Sequence, residues 1–180
     1  MIIALKKRKE NIAEYLLYMW QVEDLIRAAR FDAETINREI VARYDQPADV
    51  KKAIASWYAG LCTQMHSEGI EEKGHLKAHL DLMAQLSKLH RDLLRRPDEQ
   101  VYIAAYYKTL PLIVQLRAKS AGSNDDEIAT CFTALYGYLN LRMQGREISQ
   151  PTVDAMKQIS LFLACLAEKF KAWETENLKA

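Results

Sequence analysis

Apolar residues recur at intervals of three and four along almost the entire chain, a spacing that is typical of amphipathic α-helices. The clearest stripe lies near the C-terminus and consists of Val153, Met156, Ile159, Leu163, Leu166, Phe170 and Trp173. No segment alternates apolar and polar residues between turn signals, as strands do. The six glycines and four prolines are fewer than a turn-rich β fold needs. The pattern therefore predicts an all-α protein.

Capping and turn residues divide this pattern into six or seven segments. The first predicted helix runs from Ala4 to Arg30, and Asp32 is placed to cap a short second helix that ends near Tyr44. Further helices are expected over about 47–68, closed by Gly69, and over about 71–95. Others are expected from near Pro97, over about 125–145, where Asp125 and Asp126 start the helix and Gly145 closes it, and from 149 onward. Within the fifth helix, Pro111 requires either a kink or a junction between two helices. The clearest loop is Ala121–Asn124.

The length of the chain favours a single domain. The 180 residues suit one domain with a substantial core, and no repeat, low-complexity segment or long linker divides them. Helices that are joined by short connections pack as antiparallel neighbours. We therefore expect residues 1–180 to form one antiparallel bundle of six to seven helices.

Charge and cysteine content bear on partners and location. Lysine and arginine total 25 against 24 acidic residues, a formal net charge of +1, which gives no general attraction to nucleic acid or to an anionic membrane. No apolar run approaches the roughly 18 residues of a membrane span, and apolar Met1–Leu5 precedes basic Lys6–Lys9, the reverse of a signal peptide. The three cysteines form no CxxC pair. These features predict a reduced, cytoplasmic protein.

The most chemically suggestive segment is Glu71–His79. On a helix, His75 and His79 would share a face because they are four residues apart, and Glu72 would lie one turn before His75. This spacing allows a metal site, with His66 as a further candidate ligand. A di-iron bundle needs a second Glu-x-x-His, which the chain lacks. The alternative interpretation is a pair of partly exposed histidines near a helix start.

Polar residues flank the apolar centre of the first predicted helix. Glu23 and Arg27 stand four apart in the order that favours an ion pair along the helix surface. The alternative is two carboxylates, from among Glu14, Glu23 and Asp24, that line a cavity as acid and base. The surface ion pair is the expected arrangement.

Tyrosines cluster near Pro111. Tyr102 and Tyr106 share a helix face, while Tyr107 points elsewhere. Their hydroxyls could line a polar pocket that the break at Pro111 helps to open. The alternative is that the rings pack and the hydroxyls reach water. Tyr102 and Tyr106 are therefore candidate pocket residues.

Known catalytic motifs are missing from the sequence. It contains no Walker A loop, Gly-x-Gly-x-x-Gly, Gly-x-Ser-x-Gly or His-Glu-x-x-His, so no catalytic residue and no cofactor is predicted. The apolar first helix instead favours a non-enzymatic protein that forms a homodimer or binds a protein partner. A metal-binding bundle that uses His75 and His79, as a metal-dependent enzyme in one version, is one alternative. A small-molecule-binding bundle with a pocket near Tyr106 and Pro111 is another.

Four segments together carry a likeness to a known family: Asn11–Arg27, Glu72–Leu76, Ala104–Pro111 and Cys131–Tyr136. They resemble an uncharacterised bacterial family of all-helical proteins that is known only as a domain of unknown function, and the likeness covers nearly the whole chain. The resemblance implies an all-helical cytoplasmic protein. It implies no activity, cofactor or catalytic residue.

Overall fold

A computed structural model describes residues 2–119 and 125–177 of the chain. The described residues form helices and loops and no strand, which confirms the all-α prediction. The loop predicted at Ala121–Asn124 lies outside them. The described part of the chain contains eight α-helical segments, in rough agreement with the six to seven predicted: α1 Ile2–Glu10, α2 Ile12–Ala28, α3 Ala33–Thr35, α4 Ala48–Ser67, α5 Lys77–Leu93, α6 Gln100–Lys119, α7 Glu127–Met143 and α8 Gln150–Asn177.

The chain divides into two compact units. Unit 1 comprises Met1–Glu10 and Glu14–Asp81, and unit 2 comprises Asn11–Ala13 and Leu82–Ala180. Helices α2 and α5 contribute residues to both units. The organisation as a single domain stays a prediction. None of the described helices is long and apolar enough to cross a lipid bilayer.

The core of unit 1 is built around α2 and α4. Apolar side chains of both helices are buried there, together with residues of the segment between them: Met19, Val22, Ile26, Ile36, Val41, Ile54, Tyr58, Leu61 and Met65. Full burial of one large aliphatic side chain contributes about 1.5–3 kcal/mol relative to exposure. This cluster therefore fixes α2, which carries the residues of the candidate site.

The connection between α2 and α4 is helical but irregular. Asp32 caps α3 by accepting a hydrogen bond from the Thr35 N–H at 2.7 Å, as the sequence predicts. The chain then continues as a π-helix over Ile36–Ile40 and a 3₁₀-helix over Val41–Arg43. Both turns pack against α4, so the predicted second helix exists but changes its hydrogen-bonding pattern along its length.

Two predicted helix boundaries are wrong. The helix predicted over Ala4–Arg30 is two helices, because the Asn11 side chain accepts a hydrogen bond from the Ala13 N–H at 2.9 Å and starts α2 anew. The helix predicted from residue 71 begins only at Lys77, since the segment before it includes Gly74 at φ +96°. The alternatives at Pro111 resolve to one continuous helix, α6.

Other helix ends follow the sequence signals. Gly69 and Gly145 both have φ +66°, the left-handed conformation that favours glycine after a helix. The N–H of Ile70 reaches back to the Met65 carbonyl at 3.1 Å and closes the end of α4. Asp126 caps α7 by accepting a hydrogen bond from the Ala129 N–H at 2.9 Å. Local capping chemistry therefore fixes these ends.

Unit 2 consists of α6, α7 and α8, which pack against one another, and the part of α5 that follows Asp81. Its buried side chains are mostly large and apolar, and they include Ile113, Phe132, Met156, Ile159, Phe162, Leu166 and Phe170. Several polar side chains are also buried among them, including His90, Tyr102 and Thr109. Unit 2 therefore combines an apolar core with an internal polar network.

Candidate functional site

A fully buried carboxylate lies at the centre of the candidate site in unit 1. Glu23 is 0% exposed and lies on the same stripe of α2 as the buried residues Met19 and Trp20. Removing a carboxylate from water costs several kcal/mol unless donors replace the lost hydration. Glu23 must therefore be matched by hydrogen-bond donors from elsewhere in the fold.

Three donors meet the two oxygens of Glu23. The Nδ1 atom of His75 lies 2.6 Å from Oε2, and the Nδ1 atom of His79 lies 2.7 Å from Oε1. The backbone N–H of Leu76 adds a third hydrogen bond to Oε1 at 3.2 Å. An ionised carboxylate only accepts hydrogen bonds, so the proton of each imidazole sits on Nδ1. In the neutral rings, Nε2 is then left as an acceptor.

The same contacts keep Glu23 ionised. Burial acts to raise its pKa, but the hydrogen bonds from His75 and His79, the electrostatic interaction with His79 and the hydrogen bond from the N–H of Leu76 together outweigh burial and lower the pKa to about 2. The carboxylate is therefore charged at any physiological pH, and it fixes both imidazoles in one tautomer.

The segment that carries His75 is held in place by Arg27. The guanidinium donates to the Ile70 carbonyl at 3.2 and 3.3 Å and to the Gly74 carbonyl, and it pairs with Asp24 at 2.8 Å. The predicted surface pair between Glu23 and Arg27 is therefore wrong. Each residue instead bonds to the segment before α5, because α2 packs with this face toward the rest of unit 1.

Aromatic rings position the two imidazoles. His75 stacks on Trp20 with the ring centroids 4.0 Å apart and the planes 10° from parallel. The edge of the Tyr15 ring meets His79, and the Tyr15 hydroxyl lies 3.4 Å from Nε2. Burial raises the pKa of Tyr15, and Arg8 lowers it in part. A chain of polar contacts thus runs from Glu23 through His79 to a neutral phenol.

His79 and Tyr15 border a cavity of about 220 Å³ within unit 1. Arg8 and Gln64 are the other polar residues of its lining. The remaining walls are apolar and consist of Ala4, Leu5, Met19, Trp57, Leu61, Leu76 and Ala78. A concave apolar site with a few converging polar groups is the usual form of a small-molecule site.

The predicted metal ligands come together only in part. His75 and His79 do converge, but His75 precedes α5, so the two rings do not share a helix face as predicted. Instead, both imidazoles form hydrogen bonds with the carboxylate of Glu23. Glu72 is exposed, and His66 bonds to Glu71 at 3.0 Å. Within residues 2–119 and 125–177, no group of three or more His, Cys, Asp or Glu side chains is placed to hold a metal ion.

The two predicted pocket tyrosines belong to a buried network in unit 2. His90 Nδ1 lies 2.7 Å from the Tyr102 hydroxyl, and Nε2 lies 3.1 Å from Glu127 Oε2. The Tyr106 hydroxyl donates to Glu127 Oε1 at 2.9 Å. Both tyrosine hydroxyls are therefore engaged by neighbouring side chains, and Pro111 is exposed on α6. The ligand pocket near these residues stays a prediction.

Burial shifts the acid–base properties of this network. It raises the pKa of Tyr102 and, together with the hydrogen bond to Glu127 and its charge, raises the pKa of Tyr106 to about 12. Burial also lowers the pKa of His90, against the opposing effect of Glu127. The network is therefore a set of neutral groups around one carboxylate.

Sequence reasoning did not identify Tyr15 and Arg8 as site residues, and it placed Glu23 at the helix surface. One signal was available for Glu23. It follows the buried positions Leu16, Met19 and Trp20 by seven, four and three residues, so a charged side chain stands on the apolar stripe of α2. A charge at such a position needs a partner from another part of the chain.

The comparisons with known proteins agree with this all-helical chain. A family described as Domain of unknown function (DUF4924) matches residues 1–177. No curated protein and no solved structure matches the chain. The resemblance seen in the sequence is confirmed, since the match spans almost every residue. The chain therefore belongs to the DUF4924 family.

Proposed function

We propose that the protein binds a small molecule in the cavity beside His79 and Tyr15. The observation that carries this proposal is the contact chain from buried Glu23 through His79 to Tyr15, which ends at an apolar cavity. Carboxylate–imidazole pairs that orient a polar group at a cavity wall are common in binding and catalytic sites.

A structural role alone explains this arrangement poorly. An apolar residue at position 23 would fill the core without the cost of burying a carboxylate. Glu23 instead fixes the His79 ring so that its Nε2 atom faces the Tyr15 hydroxyl at the cavity. The Nε2 atom of His79 is thus an acceptor in a fixed position beside the Tyr15 hydroxyl, which is a donor. This arrangement supports a role in recognising a ligand.

A screen against a metabolite library tests this proposal by thermal shift. Ala78 lines the cavity from an exposed position of α5, so Ala78→Trp should fill the cavity without disturbing the core. Ala53→Trp, at an exposed position of α4 outside the cavity lining, is the matched control. We expect a ligand that stabilises the wild type and the Ala53→Trp protein but not the Ala78→Trp protein. Equal stabilisation of all three proteins would contradict the proposal, as would a library without a hit.

Self-association is a second candidate function. The apolar residues of α2 that first suggested it are largely buried in the structure, but α6 presents Tyr107 at 63% exposure and Val114 at 58%. The half-buried residues Ile103 and Leu110 lie on the same face of α6. Positions 103, 107, 110 and 114 therefore form one apolar stripe with successive spacings of four, three and four residues, as in paired helices. We propose that a second copy packs here. Light scattering should then show a dimer that Tyr107→Glu disrupts, and a strict monomer would rule this out.

The state of the cysteines is the basis for proposing a cytoplasmic location. All three are free thiols, and Cys131 is buried. Free thiols in a folded protein fit a reducing compartment, which supports the cytoplasm. Cell fractionation of the native protein is the direct check.

A further inference from the structure

We infer that the ligand of the unit 1 cavity is a small carboxylic acid with a short apolar body. This inference rests on the proposed function and names the class of its ligand. It depends on the charge of the cavity lining, on the donors at the polar end and on the volume.

The charge of the lining favours an anion. Among the described residues that line the cavity, Arg8 is the charged group, and none is an aspartate or glutamate. The carboxylate of Glu23 is not part of this lining, and its two oxygens are occupied by hydrogen bonds from His75, His79 and the Leu76 N–H. A guanidinium has five N–H donors and binds carboxylates in a two-point geometry. Arg8 can therefore hold an anion alongside its other contacts.

The Tyr15 hydroxyl supplies a second donor at the same end. Arg8 and Tyr15 both line the cavity, and the positive charge of Arg8 acts to lower the pKa of Tyr15. The 3.4 Å between the hydroxyl and Nε2 of His79 exceeds the usual 2.5–3.0 Å for an O–H donor. This weak bond costs little to exchange, and the hydroxyl is free to turn toward a carboxylate oxygen of the ligand.

The volume limits the body of the ligand. A cavity of about 220 Å³ holds the volume of about seven water molecules at roughly 30 Å³ each. Acids of the size of hexanoate or benzoate fit within this space, whereas a long acyl chain would extend beyond its open side into water. The walls at Met19, Trp57 and Leu61 are apolar and accept an aliphatic chain or a ring.

Calorimetric titration of the full chain at constant ionic strength tests the inference. The probes are hexanoate and benzoate. Hexanamide and hexylammonium are the neutral and cationic counterparts of hexanoate, and decanoate is the acid with a longer chain. We expect hexanoate or benzoate to bind with a Kd below about 1 mM and hexanamide at least about tenfold more weakly. Arg8→Gln should weaken the binding of the acid about tenfold and Tyr15→Phe several-fold. Arg38→Gln, at an exposed arginine outside the cavity lining, should leave it unchanged.

The outcomes separate this inference from the proposed function. If hexanamide or hexylammonium binds as well as hexanoate, and Ala78→Trp abolishes that binding, the cavity is a ligand site but the acid class is wrong. Equal affinity of the Arg8→Gln and Arg38→Gln proteins for hexanoate would also overturn the acid class. If no probe binds, the inference fails, and the metabolite screen with Ala78→Trp then decides the proposed function independently.

Discussion

Each unit contains a buried cluster of histidine and glutamate, and the two clusters differ in how completely they are satisfied. In unit 1, Glu23 accepts hydrogen bonds from the Nδ1–H groups of His75 and His79, and the Nε2 atom of His79 lies at a cavity. In unit 2, both ring nitrogens of His90 are engaged, one by Tyr102 and one by Glu127. The same residue types thus form an open arrangement in one unit and a closed one in the other.

The difference bears on the proposed roles of the two clusters, which are ligand binding for the unit 1 cluster and stabilisation of the fold for the unit 2 network. An internal network whose polar atoms all have hydrogen-bond partners makes the core more rigid and its packing more specific. A cluster that directs a weakly bonded donor and acceptor at a cavity has capacity left for another molecule. This contrast supports the proposal that the unit 1 cluster binds a ligand, whereas the unit 2 network contributes to stability.

The largest expected effect comes from removing the charge of Glu23. Glu23→Gln keeps the shape of the side chain but leaves at most one of the two Nδ1–H groups with an acceptor, and the loss of two charge-assisted hydrogen bonds in the core costs about 3 kcal/mol or more. Urea unfolding measures the loss. Glu14→Gln is the matched control, because Glu14 is exposed and pairs with Lys7 at the surface; its cost should stay below about 1 kcal/mol. Equal stability of the two variants would contradict the account of Glu23.

The two clusters should lose stability in different pH windows. The folded pKa of Glu23, about 2, lies below its ordinary value of 4.5, so its stabilisation is complete above pH 4.5 and is lost as the pH falls toward 2. At roughly 1.4 kcal/mol per pKa unit the loss is about 3 kcal/mol. The pKa of His90 is lowered from 6.5 by burial, so its contribution begins to fall below pH 6.5.

Urea midpoints between pH 2 and 8 separate these windows. The fall between pH 4.5 and 2 should be about 3 kcal/mol smaller in the Glu23→Gln protein than in the wild type, and a His90→Phe protein should lack the part of the fall that begins below pH 6.5. Wild-type pH dependence in both variants would show that neither group responds as described.

Removing the ring nitrogens of His90 should have an intermediate effect. His90→Phe keeps a ring among the aromatic neighbours but leaves the Tyr102 hydroxyl buried without its partner, at a cost of about 2 kcal/mol. His66→Phe is the matched control, since His66 is exposed, and it should change the free energy of unfolding by less than about 0.5 kcal/mol. A His90→Phe protein as stable as this control would mean that the network is not formed.

The smallest effect is expected from a single hydroxyl. Tyr106→Phe removes the hydrogen bond to Glu127 and should cost about 1 kcal/mol in thermal or urea unfolding. Tyr107→Phe, at the neighbouring exposed position, should leave stability unchanged. If both changes have the same effect, Tyr106 has no special place in the network.

The parts of the fold that depend on neighbours in sequence could be predicted. The cap at Asp32, the cap at Asp126 and the left-handed glycines Gly69 and Gly145 rest on chemistry within a few residues, and the structure agrees with all four. The break at Asn11 was missed, because an asparagine side chain competes with the helix in a way that periodicity does not reveal.

The candidate site could be predicted only in part, because its contacts join distant parts of the chain. The histidine pair was found from its own spacing, but the partner carboxylate lies more than fifty residues away on α2. Helix spacing favoured an ion pair between Glu23 and Arg27, whereas tertiary packing turns both side chains toward the segment before α5. Only the position of Glu23 on an apolar stripe pointed to such a contact.

The tautomers of the histidines test the central contrast most directly. Long-range ¹H–¹⁵N NMR spectra of the histidine-labelled full chain at pH 8, assigned with single-histidine variants, report which ring nitrogen carries the proton. We expect His75 and His79 to be protonated on Nδ1, since that atom donates to Glu23. His90 should be protonated on Nε2, since that atom donates to Glu127. Protonation of His75 and His79 on Nε2 would contradict the account, because Glu23 would then not hold them.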